Sequence, residues 1–376
     1  MPVRGLRHEE EVVADLHAEA MAWVGDDVRW LDVHTHIGHA DPDGYEADPA
    51  DLIEALDAAG QHAALVFPMH EPDGYGAAND IALEAAAESG GRLMALARVD
   101  PNRPGAVDEA RRCLDAGARG IKLHPRSDAF GLPHPVVDEI VALAGERRLA
   151  VLFHAGRGIP NLGDAAIALA HDNPGARLIL AHAGISDLGL VAPRAAGIPN
   201  LLFDTSWWQI ADVLTLFATV PPGQILYASD MPYGPPRLTA TGMVRCARAV
   251  GLSREQVAAI AGAQSERVLA GEDLLDLGPA PGTGALGPRV LGFERAVSYL
   301  TAAVHMAFRG GDPTEALAMA RLACQASAEA PYAERLREID ALVARAQSAL
   351  GGDDHYAVTI PAMVAQFLAG TSSDGR

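Results

Sequence analysis

The stretch WLDVHTH (30–36) is the first of eight apolar, β-rich runs that begin 23 to 32 residues apart along the chain. The other seven runs are HAALVFP (62–68), LMALARVD (93–100), GIKLHP (120–125), AVLFHAG (150–156), LILAHAG (178–184), LLFDTS (201–206) and ILYASDMP (225–232). Their apolar residues are nearly continuous, which is typical of strands buried on both faces. Ala-rich helical segments lie between them, so the chain repeats a strand–helix unit. Eight such units predict a (β/α)8 TIM barrel, an α/β fold.

The polar residues of these runs favour a closed barrel over a doubly wound open sheet. No GxGxxG turn follows the first run, as a dinucleotide-binding open sheet would require. The polar side chains fall at or near the carboxyl ends of the runs, the face on which barrel active sites are built. These residues are His36, His124, His154, His182 and Asp230.

The sequence predicts four consecutive parts. Residues 1–28 suggest a helical segment outside the barrel, and residues 29–276 hold the barrel with its closing helices. Residues 277–288 are rich in Gly and Pro and are interpreted as a linker. Residues 289–376 show apolar spacing near 3.6 and predict a helical C-terminal extension. The pattern leaves open whether this extension forms homo-oligomers or covers the barrel mouth.

Composition argues against several classes of function. The net charge of −20 would repel nucleic acid and anionic lipid, and no run of 18 apolar residues predicts a membrane span. The charged start lacks the apolar segment of a secretory signal, and the three scattered cysteines suit a reducing compartment. We therefore expect a cytoplasmic protein. Lys122 is the single lysine among the 29 lysine and arginine residues. Because lysine and arginine are not interchangeable in a site, this position is a candidate for a function that needs a primary amine.

Two histidines in the first run begin the candidate site. His34 and His36 are two residues apart, so on a strand both side chains point to the same face and could chelate one divalent metal. This spacing alone is weak evidence for a metal site, because two buried, hydrogen-bonded histidines would give the same sequence pattern. The evidence for a metal site becomes stronger with three further residues at strand ends, His154, His182 and Asp230. In a barrel, these strand ends converge at one mouth. So many buried polar groups without partners would be costly.

Taken together, HTH, the two HAG motifs, SDMP and GIKLHP resemble the amidohydrolase superfamily. They are most similar to its amidohydrolase-2 branch of hydrolases and related decarboxylases. The resemblance covers roughly residues 29–271 and does not extend to the helical extension. Near its end, Ala263 and Gln264 replace the Gly-Asn pair that is usual in this branch. We expect that departure to affect packing more than chemistry.

The resemblance implies a role for each motif residue. His34, His36, His154 and Asp230 would ligate zinc, or another divalent metal, that activates a water molecule. We expect one metal ion per chain. Asp230 would also accept a proton from that water. His182 would act as an acid–base group beside the substrate.

Lys122 keeps a binuclear alternative open. In binuclear members of the superfamily a lysine of the fourth strand is carboxylated and bridges two metals, with two further histidines on the second metal. GIKLHP is closer to the mononuclear branch, where the resemblance implies that Lys122 meets the substrate or groups around the metal. The alternative is that Lys122 has no function in the site and is a solvated charge at a strand end. His124, on the same face, is interpreted as an inward hydrogen-bonding group.

The expected substrate is a small molecule that carries a carboxylate. Arg157 and Arg126 follow two strand ends and could grip a carboxylate, although surface arginines would look alike. Trp207 and Trp208 could wall a pocket or pack against barrel helices. The leading hypothesis is hydrolysis of an amide, ester or lactone by activated water. The alternatives are non-oxidative decarboxylation of an aromatic or unsaturated acid, and a non-catalytic barrel that carries a helical interaction module.

Overall fold

A computed structural model describes residues 6–372. Its strand segments are β1 (Leu31–Ile37), β2 (Ala63–Pro68), β3 (Leu93–Ala95), β4 (Ala97–Arg98), β5 (Gly120–Leu123), β6 (Ala150–Phe153), β7 (Arg177–Leu180), β8 (Leu201–Asp204) and β9 (Ile225–Leu226). All of them pair in parallel, in the orders β1-β2-β3 and β4 to β9. The segments β3 and β4 share the third predicted run, and Leu96 lies between them. Eight runs therefore supply eight barrel positions.

Backbone hydrogen bonds close the ring between the first and last positions. The amide of Asp230 donates to the carbonyl of His34 at 2.9 Å, and the amide of His36 donates to Met231 at 2.7 Å. On the opposite side, Leu96 donates to Val66 and so continues the ladder past the break between β3 and β4. These contacts confirm the predicted (β/α)8 barrel.

Helices surround the barrel and alternate with its strands. Before and around the barrel lie α1 (Leu6–Val12), α2 (Ala14–Val24), α3 (Pro49–Ala58), α4 (Gly76–Glu88), α5 (Ala106–Asp115), α6 (Pro135–Glu146), α7 (Leu162–Asp172), α8 (Leu188–Ala195), α9 (Ile210–Thr219), α10 (Pro236–Ala249), α11 (Arg254–Ala258) and α12 (Gln264–Ala270). A π-helical turn at Ala259–Ala263 joins the last two. Within residues 6–372, no helix is both long and apolar enough to cross a membrane.

The hydrophobic core has two layers because strand side chains alternate in direction. Leu152 of β6 belongs to the cluster that fills the barrel, whereas its neighbour Phe153 packs in the outer layer with the helices. The inner cluster takes residues from most strands, among them Leu31, Val33, Leu65, Ile179, Leu202 and Leu226. Both faces of the strands are therefore buried, as the continuous apolar runs predict.

The last barrel strand is shorter than its run predicts. Residues 225–232 are apolar enough for a full strand, but β9 ends at Leu226. Beyond it the chain still pairs with the first run through single hydrogen bonds and the bridge between Thr35 and Met231, but Asp230 has a φ of 69°. The end of the eighth run is therefore shaped as a turn that positions Asp230 and not as a regular strand.

Four helices form the C-terminal extension: α13 (Leu291–Phe308), α14 (Thr314–Ala323), α15 (Ala333–Ser348) and α16 (Tyr356–Thr371). Helix α16 packs against α9, α10 and α1, and so joins the extension to the barrel. At one contact the ring of Phe367 lies over Gly242 of α10, where an added Cβ would come within 2.6 Å of the ring. Residues 1–5 and 373–376 of the predicted terminal parts lie outside the described residues. The limits of the four predicted parts remain predictions.

Candidate metal centre

Side chains from both ends of the barrel chain meet at its carboxyl-end mouth. The Nε2 atoms of His34 and His36 lie 3.2 Å apart. One carboxylate oxygen of Asp230 lies 3.2 Å from Nε2 of His34 and 3.1 Å from Nε2 of His36. His34 and His36 are buried, and 20% of the Asp230 side chain is exposed. We call His34, His36, His182 and Asp230 the metal-competent centre, since ligand atoms of His34, His182 and Asp230 all lie within 4.8 Å of one another.

His154 reaches this centre through His182. Its Nδ1 lies 3.0 Å from Nε2 of His182, and its ring stacks on His124 with centroids 3.8 Å apart. Gly156 leaves room for that ring, because a Cβ there would lie 2.6 Å from Nε2 of His154. His154 as the fourth ligand and His182 as the acid–base group remain predictions.

The hydrogen-bond partners of two imidazoles, those of His34 and His182, fix which ring nitrogen carries the proton. Nδ1 of His34 lies 2.8 Å from a carboxylate oxygen of Asp204, and Nδ1 of His182 lies 2.8 Å from the carbonyl oxygen of Ser206. Both partners accept, so each Nδ1 carries the proton and each Nε2 keeps its lone pair. Asp204 also accepts from the amide of His182 at 2.9 Å, so one buried carboxylate holds both residues. Imidazole nitrogens beside a carboxylate fit a divalent metal such as zinc.

The backbone at two residues of the centre is in the left-handed region. Asp230 has a φ of 69° and His182 a φ of 56°. Such conformations cost roughly 1–2 kcal/mol for a residue with a Cβ and persist where the surrounding structure enforces them. The closing hydrogen bond of Asp230 to His34 is one such constraint. Strain at these two positions is typical of a functional site.

Burial controls the charges of the centre. It lowers the pKa values of His34 and His36 well below the ordinary histidine value, so both imidazoles are neutral, the form that binds metals. Burial raises the pKa of Asp230 well above the usual range, and the positive charge of Lys122 opposes that rise. The carboxylate therefore needs a nearby cation to remain ionised.

Lys122 is fully buried at the end of β5, which excludes the solvated charge considered above. Its Nζ lies 3.3 Å from Nε2 of His34 and 4.7 Å from the ring centroid of Phe67. Burial lowers the pKa of this amine to about 7, against the attraction of Asp230. A substantial part of Lys122 is thus neutral near pH 7, with a lone pair available for hydrogen bonding or chemistry.

A cavity of about 840 Å³ opens above the centre. The predicted substrate residues Arg157, His124 and Trp207 all line it, as do Arg126 and Trp208. Trp207 donates through its indole nitrogen to Asp212 at 2.7 Å. The guanidinium of Arg157 lies over the Trp207 ring, 5.3 Å from its centroid.

Sequence reasoning missed one buried cation in this cavity, Arg98. It ends β4 and donates to the carbonyl of Pro68 at 3.1 Å and to the hydroxyl of Ser127 at 2.9 Å. A signal was present, because Arg98 is a charged residue near the carboxyl end of the third apolar run, as His36 is in the first.

Residues of the C-terminal extension form one side of the same cavity. We call this set the helical wall; it consists of His305, Phe308, Arg309, His355 and Phe367. No pattern in the sequence assigns a function to His305 or His355. His355 contacts the hydroxyl of Tyr45 at 3.4 Å, and the Tyr45 ring contacts Tyr233, which packs edge-on against His36. The extension thus covers part of the mouth, one of the two roles that the sequence left open.

Comparisons with known proteins identify the family of the barrel. A family model described as Amidohydrolase matches residues 14–270. A search of curated protein sequences found no match. The match ends before the helices of the extension begin, so the family model covers the barrel and not the helical wall.

Solved structures with the same fold cover the barrel at low identity. A TIM-barrel protein of Bordetella bronchiseptica is 13% identical, with a TM-score of 0.53, over 65% of this chain and 99% of its own. The 2,6-dihydroxybenzoate decarboxylase of Rhizobium is 14% identical, with a TM-score of 0.51, over 65% and 99%. The 4-oxalomesaconate hydratase of Rhodopseudomonas palustris is 15% identical, with a TM-score of 0.50, over 64% and 96%. At these identities the likeness supports the fold alone.

Proposed function

This chain belongs to the amidohydrolase family, and from that premise we propose that it is a metal-dependent hydrolase of an amide, ester or lactone bond in a small molecule. The observation that carries the proposal is the meeting of two imidazole nitrogens and one Asp230 oxygen within 3.2 Å of one another. In this proposal His34, His36, His154 and Asp230 hold one divalent metal, with zinc the preferred ion.

The metal would supply Lewis acidity to the substrate oxygen and lower the pKa of an attacking water. Asp230 is placed to take the proton of that water, because its partly exposed carboxylate borders the cavity. His182 holds a proton on Nδ1 through the Ser206 carbonyl and leaves Nε2 for exchange with the leaving group. A charged Lys122 would help to keep Asp230 ionised, because its positive charge opposes the rise in the pKa of that carboxyl.

Decarboxylation of an aromatic or unsaturated acid is the second candidate, and the arginines of the cavity favour it. Arg126 and Arg157 line the cavity and suit a substrate with a carboxylate, whereas Arg98 is already paired with the carboxylate of Asp128 at 3.4 Å. In this reaction the carbon–carbon bond to the carboxylate breaks, carbon dioxide leaves, and the ring carbon takes up a proton that comes from solvent and is relayed through Nε2 of His182. The centre serves both reactions, so the products must separate them.

Metal content and products test both candidates. Elemental mass spectrometry on protein purified without added metal or chelator should find one zinc or similar ion per chain. Two ions would favour a bridging, carboxylated Lys122. Esters, lactones and aromatic acids are then assayed in labelled water: uptake of ¹⁸O identifies hydrolysis, and release of carbon dioxide without uptake identifies decarboxylation. A chain that binds no metal after reconstitution would contradict both and leave either a metal-free, lactonase-like site or the non-catalytic barrel.

A further inference from the structure

The helical wall lies outside the segment that matches the amidohydrolase family, yet it borders the same cavity as the metal-competent centre. The family match ends at residue 270, whereas α13 begins at Leu291. His305, Phe308 and Arg309 come from the end of α13 and the turn after it. The helical wall is therefore a part of the cavity that the family match does not include, and its contacts indicate its role.

One contact joins the wall to a barrel loop. Nη1 of Arg157 lies 3.1 Å from Nδ1 of His305. A guanidinium has no acceptor, so Arg157 donates and Nδ1 of His305 accepts, which requires the neutral ring with its proton on Nε2. Partial burial, with the charges of Arg157 and Arg309, lowers the pKa of His305 and keeps Nδ1 free to accept.

Aromatic rings complete the setting of Arg157. The guanidinium lies over Trp207, and the Trp207 and Trp208 rings are 5.7 Å apart. Trp208 in turn contacts Phe308 of the wall at 6.0 Å and His305 at 6.5 Å. The arginine is therefore held between a tryptophan of the barrel and a histidine of the extension, and its remaining donors can face the cavity.

We propose that His305 is a positioning residue, which holds Arg157 as the group that binds an anionic end of the substrate at the rim of the cavity. This proposal rests on the proposed function in one respect, since it takes the metal-competent centre to engage the other end. The substrate then carries a negative group remote from the bond that reacts. Preorganisation of Arg157 lowers the cost of ordering a long side chain on binding.

Binding of two matched probes to the full-length, metal-loaded protein tests this inference. Terephthalate has two carboxylates at opposite ends of a ring, and 4-carbamoylbenzoate replaces one of them with a neutral amide. Because a hydrogen bond to a charged group contributes more than a neutral one, we expect terephthalate to bind about tenfold more tightly. Isothermal titration calorimetry measures both dissociation constants.

Variants identify the residue responsible for that preference. In R157A and H305A the two probes should bind about equally, because the rim cation is lost or released. H305N should restore the preference, since its side-chain oxygen can accept from Arg157 in place of Nδ1. The matched control is M306A, because Met306 is the next residue of α13, is exposed and does not line the cavity.

The inference is overturned by equal binding of both probes to the unaltered protein, or by a preference that survives in H305A as it does in M306A. An equal loss of affinity for both probes in H305A would also contradict it, because it would indicate a general change in the packing of the helical wall and not the loss of one anion-binding group. Turnover is recorded separately. A protein that prefers terephthalate but shows no metal-dependent turnover would contradict the proposed function alone, and active protein with unchanged probe binding in H305A would contradict this inference alone.

Discussion

The metal-competent centre and the helical wall share one cavity but are built by different physical means. In the centre, buried atoms about 3 Å apart, left-handed backbone at Asp230 and a carboxylate at Asp204 fix each side chain. In the wall, the residues are held by ring contacts near 6 Å, by the exposed hydrogen bond of His305 to Arg157, and by contacts such as that of His355 with the Tyr45 hydroxyl. We therefore expect substitutions in the wall to alter substrate binding while the geometry of the centre stays intact.

The largest effect is expected at Asp230, where the substitution D230N tests the centre itself. Loss of the general base should lower kcat by about 10²–10⁴-fold. Asparagine tolerates a positive φ better than most residues, so the fold should survive. Steady-state kinetics and metal analysis are the measurements, with D43N, also in the cavity lining, as control. An unchanged kcat with metal bound would remove Asp230 from the mechanism.

The next largest effects are expected at His154 and His182, whose ring nitrogens lie 3.0 Å apart. Because they are so close, experiment must decide which of the two histidines ligates the metal. We expect H154A to lose metal during dialysis, and H182A to keep metal while kcat falls by about 10²-fold. Elemental analysis of dialysed samples, paired with kinetics, distinguishes the two. The reverse pattern, with metal lost only from H182A, would exchange the two roles.

Asp204 should have a smaller effect, since it acts through His34 and His182. Removing the carboxylate in D204A frees the His34 ring, and losses of this kind are about 10–100-fold in metal affinity. Competition with a zinc chelator measures the affinity. D212A, which removes a partly buried carboxylate bonded to Trp207 instead, should leave it unchanged. Equal affinity in D204A and the unaltered protein would show that His34 is oriented by other contacts.

The smallest effect on the centre is expected from G242A, which alters the contact between Phe367 of the helical wall and helix α10. The new methyl group would meet the Phe367 ring, and overpacking of this kind costs about 1–3 kcal/mol in the free energy of unfolding. G189A is the control, because nothing lies within 4 Å of its added Cβ in α8. Chemical denaturation gives the stabilities. Metal content should stay the same, and its loss would contradict the separation of wall and centre.

Much of the barrel and its centre was predictable because both follow local periodicity. His34 and His36 share a face by the two-residue period of a strand, and Asp230 belongs with them because carboxyl ends of parallel strands meet at one mouth. The contact of His305 with Arg157 was not predictable, since it joins residues 148 apart and depends on how α13 of the extension docks on the barrel. No spacing in the sequence encodes that docking.

The ring of strands is closed at the residues that form the centre, and this has a consequence for folding. His36 and Asp230 are 194 residues apart in sequence, and the bonds that join the first and last barrel positions flank them directly. An ion shared by these side chains would fasten the two ends of the barrel, as a cross-link does. Since such an ion binds the closed barrel and not the open chain, loading with metal should raise the melting temperature, and a chelator should make the barrel easier to open at this point.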